Sequence, residues 1–485
     1  MVKLKKFDSS LCNSKMDFEE CELAILRNAV DLNEHEAKRM EVNNPVISHI
    51  TRILEQFLRK KKLICYGGTA INNILPRSKQ FYDKSIEIPD YDFYSDAALD
   101  DSKELADIYL KAGYVEVEAK SGVHFGTYKV FVNFIPIADI THLDTSILSS
   151  IKKESIMIDK ILYAPPNFLR MNMYLELSRP AGDVSRWEKV FKRLSLLNAH
   201  YPFINKSCSK MKLFNNVVYD EEQEGLSNSI RDTVIKESAV FFGGFATYLY
   251  SKYIPDDDKT LLKKYPEFDI LALDASKLTK LIVLNLNDLN SKNGGEITVT
   301  EHEAIGEIIP KHYEIQVNGY SIAFVYNTLS CHSYNTLNIT RNVVSKNNVK
   351  RKEKIKVNVA TIDTMISFYL AFYYSDKSYY HQERILCMTK LLFDVEEKNR
   401  LNQSGLLKRF SKTCYGTQLT LSGIRLQKTK KFKELHKKNK SREYEEWFLK
   451  YNPSNKTISN KKVRIKNTRK TPKTLVQSMK SIGIL

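Results

Sequence analysis

Two acidic residues, separated by a single position, follow a pair of adjacent glycines early in the chain. The glycines are Gly67 and Gly68, and the acids are Asp90 and Asp92. Side chains at positions i and i+2 of a β-strand point to the same face, so both carboxylates would lie together. Carboxylate oxygens suit Mg²⁺, an ion that keeps several waters and bridges to substrate phosphates. The pattern therefore predicts a site for a magnesium-bound nucleoside triphosphate.

The glycine pair is predicted to form the turn between a short strand and a helix. Because Gly67 and Gly68 lack side chains, a triphosphate could approach the backbone there, and the helix N-terminus would direct its amides at it. Thr69 could add a hydroxyl donor. A P-loop is disfavoured because no Gly-Lys-Ser/Thr follows, and Gly-x-Gly-x-x-Gly of a dinucleotide fold is missing. The ten histidines do not have the spacing of a zinc hydrolase.

Nucleotidyl transfer assisted by two metal ions needs one more carboxylate near the attacking hydroxyl. Asp139, set between Ile137 and Ile140, is the predicted third ligand. In this scheme Asp90 and Asp92 bind both ions, and Asp139 binds the ion that activates a primer 3′-hydroxyl. The alternative is that Asp139 is a turn or helix-capping residue, and the fallback third ligand is then Asp144.

Basic residues downstream could meet the triphosphate. Arg186, Lys189 and Arg193 are spaced so that they share one face of a predicted helix. Lys189 and Arg193 are therefore predicted to bind the nucleotide. A solvated helix face would explain the same spacing equally well.

The chain contains a second, incomplete copy of this arrangement. Gly244 and Asp269 lie 25 residues apart, and the matching residues of the first copy lie 24 apart. The order of helices and strands is also the same, which predicts a duplicated module of roughly 150–180 residues. In the second copy Glu267 replaces the first aspartate of the pair, Phe245 follows the glycines, and positions 320–336 contain no acid. The second copy is therefore predicted to shape a groove or a dimer surface without catalysis.

Apolar periodicity predicts the elements that must position these residues. An amphipathic helix is predicted over 47–63, because apolar residues recur there at helical spacing. Further helices are predicted at 17–42, from 70, at 101–112, 167–198 with a break at 180–183, 227–238, 275–289 and 360–370. Strands are predicted at 63–66, from 89, at 114–119, 124–134, 136–140, 240–242, 267–273, 296–300 and 312–326.

These elements divide the chain into four predicted parts of an α+β protein. Two tandem modules, each a mixed sheet flanked by helices, would occupy 45–200 and 225–395, and the second would be degenerate. A helical segment would precede them at 1–44, and a basic extension would follow at 396–485. The length of 485 residues fits several domains, because single cores stop growing at about 250–300 residues.

The composition is that of a soluble globular protein, with 42% hydrophobic and 27% charged residues. The sequence contains no run of 18 apolar residues, which argues against a membrane-spanning segment and a membrane partner. The seven cysteines are scattered and odd in number. That pattern predicts a reducing compartment and disfavours structural zinc.

Most of the net charge of +18 lies at the C-terminal end. From 428 to 485, eighteen lysines and arginines accompany four glutamates, a net charge of +14. Such a segment would bind a polyanion, because each neutralised phosphate releases counterions, although it could also be a solubilising terminus. A lysine-rich hairpin or loop at 346–356 is either a second phosphate contact or a solvated turn. The predicted RNA-binding residues are Lys350, Arg351, Lys352, Lys461, Lys462 and Arg464.

Two segments of the chain resemble the polymerase-β-like nucleotidyltransferases. They are Cys65-Tyr66-Gly67-Gly68-Thr69-Ala70-Ile71-Asn72-Asn73 and Pro89-Asp90-Tyr91-Asp92-Phe93. Two others, Tyr174-Leu175-Glu176-Leu177-Ser178-Arg179-Pro180 and Arg186-Trp187-Glu188-Lys189-Val190, narrow the resemblance. With them, the chain is similar to the poly(A) polymerase catalytic subunits of large cytoplasmic DNA viruses, mimivirus-like and more distantly poxvirus-type. The resemblance extends over most of 45–395.

This resemblance implies template-independent addition of AMP from ATP to mRNA 3′ ends, with Mg²⁺ or Mn²⁺ as the cofactor. It implies a protein of the host cytoplasm, within the viral factory, and of the virion. It also implies a homodimer, or association with a viral cap methyltransferase or the transcription machinery, as in poxvirus relatives. The site residues that the resemblance itself carries over are Gly67, Gly68, Asp90, Asp92 and Asp139.

Two other functions stay open at this point. Motifs around the metals do not choose the base, so another template-independent RNA nucleotidyltransferase also fits, whether uridylyl, CCA-type or oligoadenylate-forming. A non-catalytic RNA-binding scaffold would bind RNA in a salt-sensitive manner without needing metal. The intact Asp-x-Asp beside an intact Gly-Gly disfavours the scaffold.

Overall fold

The structure is a computed structural model that describes residues 11–13, 15–83, 85–203, 208, 221–254, 267–290, 295–344 and 350–454. Within these residues the chain forms two eight-stranded mixed sheets flanked by helices. The predicted α+β class is confirmed. No helix in the described ranges is long and apolar enough to cross a membrane.

The first module contains seven strands and seven helices among the described residues. The strands are β1 (Ile64–Tyr66), β2 (Tyr91–Ser95), β3 (Val117–Ser121), β4 (Thr127–Val132), β5 (Ile135–His142), β6 (Ile156–Ile158) and β7 (Ile161–Tyr163). The helices are α1 (Phe18–Val42), α2 (Pro45–Lys61), α3 (Gly67–Ile74), α4 (Ala98–Lys111), α5 (Thr145–Lys153), α6 (Pro166–Leu177) and α7 (Trp187–His200), with 3₁₀ turns at Arg77–Lys79 and Val184–Arg186.

The second module follows the same order. Its strands are β8 (Val240–Phe242), β9 (Phe268–Ala272), β10 (Ile297–His302), β11 (His312–Val317), β12 (Tyr320–Asn327), β13 (His332–Val344), β14 (Lys350–Ala360) and β15 (Cys414–Tyr415). Its helices are α8 (Glu221–Lys236), α9 (Gly243–Tyr250), α10 (Ala275–Asn290), α11 (Ile362–Tyr374) and α12 (Gln382–Lys398), with 3₁₀ turns at Ser251–Tyr253 and Gly405–Leu407.

Helix α2 shows how the sequence builds the core of the first module. Pro45 occupies its first position, and the Asn44 side chain accepts the N–H of Val46, as expected of an N-cap. The six apolar residues of its predicted stripe are all buried. Burial of each side chain stabilises the fold by roughly 1.5–3 kcal/mol. Helix α2 thereby supports the sheet from the face opposite the predicted site. The stripe is Ile47, Ile50, Ile53, Leu54, Phe57 and Leu58.

The two sheets share one topology, which confirms the duplication predicted from the sequence. The strand order is β3-β4-β5-β2-β1-β7-β6 in the first and β10-β11-β12-β9-β8-β14-β13 in the second. The central pairs β2–β5 and β9–β12 are both parallel. A β-bulge follows Val130 in the first sheet and Ile315 in the second, at equivalent positions.

The modules contact each other through equivalent helices. Helix α6 of the first packs against α11 of the second. The hydroxyls of Tyr373 and Tyr374 donate to the carboxylate of Glu154, at 2.5 and 3.0 Å. The N–H of Ser333 also donates to the carbonyl of Ser178 at 2.8 Å, so both hydrogen bonds and apolar packing join the modules.

The part of the predicted basic extension that the structure describes is folded. After α12 and β15, the chain forms α13 (Leu421–Leu435), a 3₁₀ turn at His436–Lys438, α14 (Arg442–Phe448) and β16 (Lys450–Tyr451). Strand β16 pairs with β3 and becomes the outer strand of the first sheet. The rings of Phe125 and Trp447 lie 4.5 Å apart, and the Tyr451 hydroxyl donates to Asp107 at 2.6 Å. We call residues 421–451 the C-terminal arm.

Some elements differ from the sequence predictions. Helix α5 and strands β6 and β7 were not predicted. The strand predicted over 312–326 is two strands, joined by a turn at Asn318 and Gly319. Both turn residues have positive φ, 51° and 79°, which is typical of a tight hairpin turn. The apolar pattern continues across this turn and conceals it.

The cysteines differ most from expectation. Disulfides join Cys12 to Cys21, Cys208 to Cys387, and Cys331 to Cys414, and Cys65 is free and buried. The partners of the last two pairs are 179 and 83 residues apart, so their sequence spacing shows no sign of pairing. These three disulfides differ from what the prediction of a reducing compartment, drawn from count and spacing, would lead one to expect.

Candidate active site

Gly67 begins α3 directly after β1 and lies against Asp92. Its φ of +72° is in the left-handed region, which glycine enters at little cost. A Cβ at this position would lie 2.4 Å from Oδ2 of Asp92, closer than carbon and oxygen can approach. The turn therefore needs glycine for two reasons, and it brings the N-terminus of α3 against a carboxylate.

Gly68 lies beneath the side chains of Tyr82 and Arg193. A Cβ here would meet the Tyr82 hydroxyl at 2.5 Å and the terminal guanidinium nitrogens at 3.0 Å. Arg193, on α7, donates to that hydroxyl at 2.6 Å, and its guanidinium also contacts the ring of Phe81. No described side chain caps α3, so its first amides can meet a phosphate. Arg193 thus lies over the glycine turn, and its nucleotide contact stays a prediction.

Two buried polar side chains of α3 fix the segments around the glycine turn. The Thr69 hydroxyl donates to the carbonyl of Asp90 at 2.5 Å, so here it positions the carboxylate segment. Its predicted phosphate contact stays a prediction. Asn72 is 2% exposed, and its side-chain oxygen accepts the N–H groups of Phe81 and Tyr82. Sequence reasoning missed this role, which only the place of Asn72 inside the glycine motif could have suggested.

The three predicted carboxylates lie beside one another. Asp92 in β2 and Asp139 in β5 are direct partners in a parallel pair, and Asp90 lies two residues before Asp92. Burial, followed by the charges of Asp90 and Asp139, raises the pKa of Asp92 to about 7. Burial and the Asp139 charge also raise the pKa of Asp90. The site therefore concentrates negative charge that a cation would neutralise.

Lys129 supplies one positive charge to this cluster. It lies directly opposite Asp139 in the antiparallel pair of β4 and β5. Its ammonium group donates to Oδ2 of Asp139 at 2.5 Å. Sequence reasoning did not select Lys129, because the β4–β5 register decides which lysine meets the third carboxylate.

The three carboxylates offer a divalent metal the kind of ligands it prefers. Three carboxylates supply the hard oxygen ligands that Mg²⁺ and Mn²⁺ prefer. Across the described ranges, no three His, Cys, Asp or Glu side chains are already gathered as a metal site. Asp139 is instead engaged by Lys129. The chemistry of the donors fits a divalent ion.

In the second module, the equivalent position is filled by the protein itself. Phe324 lies opposite Asp269 in the parallel pair, where the first module has its third carboxylate. Arg384 donates to Glu267 at 2.6 Å. Burial raises the pKa of Asp269 to about 7. A phenylalanine and an internal ion pair thus replace the features that a metal site needs.

Three further residues considered in the sequence analysis, Asp144, Lys189 and Arg186, have different surroundings. Asp144 caps α5 by accepting the N–H and hydroxyl of Ser146, so it is a helix cap rather than a candidate ligand. Lys189 is exposed on α7. Arg186, in the turn before α7, forms an ion pair with Glu176 at 3.2 Å, and its charge lowers the pKa of Asp92.

The predicted RNA contacts are placed only in part. Strands β13 and β14 pair as far as Val344 and Lys350, so the described part of the lysine-rich segment, 350–356, lies on β14. Lys350, Arg351 and Lys352 lie on β14, but their side chains are outside the described part of the structure. The remaining three, Lys461, Lys462 and Arg464, lie outside the described residues altogether.

Comparison with known proteins gives three kinds of finding, which are a family match, curated relatives and a solved structure. Residues 52–183 match the sequence model of the family described as "Poly(A) polymerase catalytic subunit". The protein named "Putative poly(A) polymerase catalytic subunit" of Acanthamoeba polyphaga mimivirus is 34% identical over 180 residues, 35% of this chain and 30% of that protein. Its namesake in African swine fever virus (isolate Pig/Kenya/KEN-50/1950) is 30% identical over 173 residues, 34% of this chain and 36% of that protein.

The third finding concerns the fold. The crystal structure of the Megavirus polyadenylate synthase matches with a TM-score of 0.70 at 20% identity, over 99% of this chain and 92% of that chain. The sequence matches, in contrast, cover only about a third of each curated relative.

Together, the fold and the site define a protein of two repeated modules, of which the first places Asp92 opposite Asp139 and the second has Phe324 at the position equivalent to Asp139. Residues 52–183 match the model of the poly(A) polymerase catalytic subunit family, in agreement with the resemblance seen in the sequence. That segment contains the glycine turn and all three carboxylates.

Proposed function

We propose that this protein is a template-independent poly(A) polymerase that adds AMP from ATP to RNA 3′ ends. The observation that carries the proposal is the register of Asp92 opposite Asp139, with Gly67 packed against Asp92. The domain match over 52–183 and the Megavirus fold support the same activity. In the second module, Phe324 replaces the third carboxylate, so we assign the reaction to the first.

The residues of the site divide into two groups. Gly67, Gly68 and Arg193 would receive the triphosphate, through the amides of α3 and a guanidinium group. Asp90, Asp92 and Asp139 would hold Mg²⁺ or Mn²⁺, which would polarise the phosphate and lower the pKa of the primer hydroxyl. Lys129 would hold the Asp139 side chain in place until the metal ion binds.

Primer extension tests this function. Purified protein with a divalent metal and an RNA primer should extend the primer with ATP and much less with the other three nucleotides. The Asp92→Asn variant should lose about a thousandfold or more in rate. The matched control is Asp269→Asn in the second module, which should extend primers normally. Normal extension by Asp92→Asn would refute the assignment.

The same assay separates the alternatives. Extension with UTP, or addition of a short CCA end, would indicate another nucleotidyltransferase of this fold. RNA binding without any extension, and without dependence on metal, would indicate a scaffold. The register that places Asp92 opposite Asp139, two residues after Asp90, favours catalysis over the scaffold, because RNA binding alone does not need three neighbouring carboxylates.

The proposal also includes where the protein acts and which partners it binds. The curated relatives come from large DNA viruses, and we extend to this chain a viral origin, the host cytoplasm and the virion. A homodimer is proposed by the same resemblance, with a cap methyltransferase or the transcription machinery as further partners. Light scattering of the purified protein at several concentrations distinguishes a dimer from a monomer.

A further inference from the structure

A row of charged residues runs across the first sheet from the carboxylates to its outer edge. Asp92 pairs with Asp139, and Asp139 pairs with Lys129. Lys129 in turn pairs with Lys120, which pairs with Lys450 of β16. Directly paired residues of neighbouring strands point to the same face, so three lysines extend in a line from the third carboxylate.

The face that carries these lysines is open. Residues on β4 and β3 alternate between buried and partly exposed, and Lys129 and Lys120 belong to the partly exposed set. Their side chains are 36% and 44% exposed, and Lys450 is exposed as well. The ammonium group of Lys120 also lies 4.0 Å from the ring centroid of Phe131, which is on the same face. An aromatic side chain between lysines is typical of surfaces that bind single-stranded nucleic acid.

Two of the three lysines are paired with acidic side chains. Lys129 is paired with Asp139 at 2.5 Å, and Lys120 with Glu118 at 3.2 Å. An exposed ion pair contributes little, about 0–1 kcal/mol, so a phosphate group can compete for Lys120.

The duplicated module offers an internal comparison. The equivalent row of the second sheet reads Asp269, Phe324, Glu314 and Thr300. It contains no basic residue, and no described strand lies beyond β10 at that edge, where the first sheet gains β16. The lysines therefore accompany the complete carboxylate set and are missing where that set is broken.

We propose that Lys129, Lys120 and Lys450 form a track for the phosphate backbone of the RNA primer, leading its 3′ end to Asp139. This inference rests on the proposed function and names the path of its RNA substrate. The C-terminal arm has a definite role in it, because β16 contributes Lys450. Nine further lysines and arginines follow in the sequence at 455–485.

The dimensions suit a short stretch of single-stranded RNA. Neighbouring strands lie about 4.8 Å apart, so Lys120 is roughly 10 Å and Lys450 roughly 14 Å from Asp139 along the row. These distances correspond to the last few phosphates of a primer whose terminal hydroxyl lies at Asp139.

The double variant Lys120→Gln/Lys450→Gln tests the track and leaves Lys129, which contacts Asp139, unchanged. Each phosphate contact contributes about 0.7 to the slope of log K against log salt for a single strand. We expect the slope to fall by about 1.4, and RNA binding at 0.1 M salt to weaken roughly 10- to 30-fold. The KM for RNA should rise and the KM for ATP should stay unchanged.

The matched control is Lys277→Gln/Lys280→Gln, which removes two exposed lysines from α10 of the second module. If this control changes the slope and affinity as much as the track variant does, the track is refuted. Equal RNA affinity of the track variant and the unmodified protein refutes it as well.

A primer with one uncharged methylphosphonate linkage locates the contact. The linkage should weaken binding to the unmodified protein when placed within the last few phosphates, and should have little further effect on the track variant. Additive losses at every position would overturn the proposal. The protein could also bind RNA through these lysines and yet extend no primer. That result would refute the polymerase function but would still support the track.

Discussion

Gly67 and Asp92 lie so close together that no side chain fits between them. We predict that Gly67→Ala lowers primer extension at least tenfold, because the new Cβ would displace the Asp92 carboxylate. The control is Gly113→Ala, at a glycine that also has positive φ, +99°, but no atom within 4 Å of a Cβ. Both variants should lose about 1 kcal/mol of stability from backbone strain.

Extension assays and thermal melts of the two glycine variants distinguish the effect of the contact with Asp92 from the effect of backbone strain. Gly113→Ala should melt at a lower temperature and retain its activity. An equal loss of activity in both would mean that the contact with Asp92 has no special importance.

Arg193 is predicted to bind the triphosphate from above Gly68. Replacing it with glutamine should raise the KM for ATP about tenfold, because a charge-assisted contact to phosphate is lost. The control is Lys192→Gln, its neighbour on α7, which is exposed and paired with Glu188. Steady-state kinetics over a range of ATP concentrations measures both. The assignment fails if the two variants have the same KM.

The buried carboxyl of Asp269 should make stability depend on pH. The pKa of this carboxyl is about 7 in the folded protein, above the ordinary value near 3.9. The stability that it contributes is therefore complete below about pH 4 and is lost as the pH rises through 7. Asp269→Asn removes the ionisation. On going from pH 5 to pH 8, the variant should gain stability relative to the unmodified protein, by on the order of 2 kcal/mol. Thermal melts across that range test this, and a constant difference would contradict it.

Residues 455–485 should bind RNA without sequence preference. They contain nine lysines and arginines and no acidic residue, so truncation after Ser454 should reduce the salt dependence of RNA binding. The melting temperature should stay the same, because the C-terminal arm is retained. A longer deletion from 428 would also remove β16 and should lower it. An unchanged salt slope after the short truncation would make the segment a solubilising terminus.

Short-range pattern was enough to predict much of the site. The helix over 47–63, the strand before Gly67 and the strand that carries Asp92 follow from apolar periodicity and from glycine, and the structure confirms them. The duplication also follows from the sequence, because both copies preserve the spacing between glycines and acid. The functional resemblance rests on the same short segments.

The sequence by itself determined which residues can do chemistry, because carboxylate, glycine and arginine have fixed chemical properties wherever they lie. Only the tertiary structure decided which of them meet. Asp139 opposes Asp92, Lys129 opposes Asp139 and Lys450 extends the lysine row through strand pairing between segments far apart in the chain. Strand register depends on long-range hydrogen bonding and on burial of one sheet face, neither of which local spacing records.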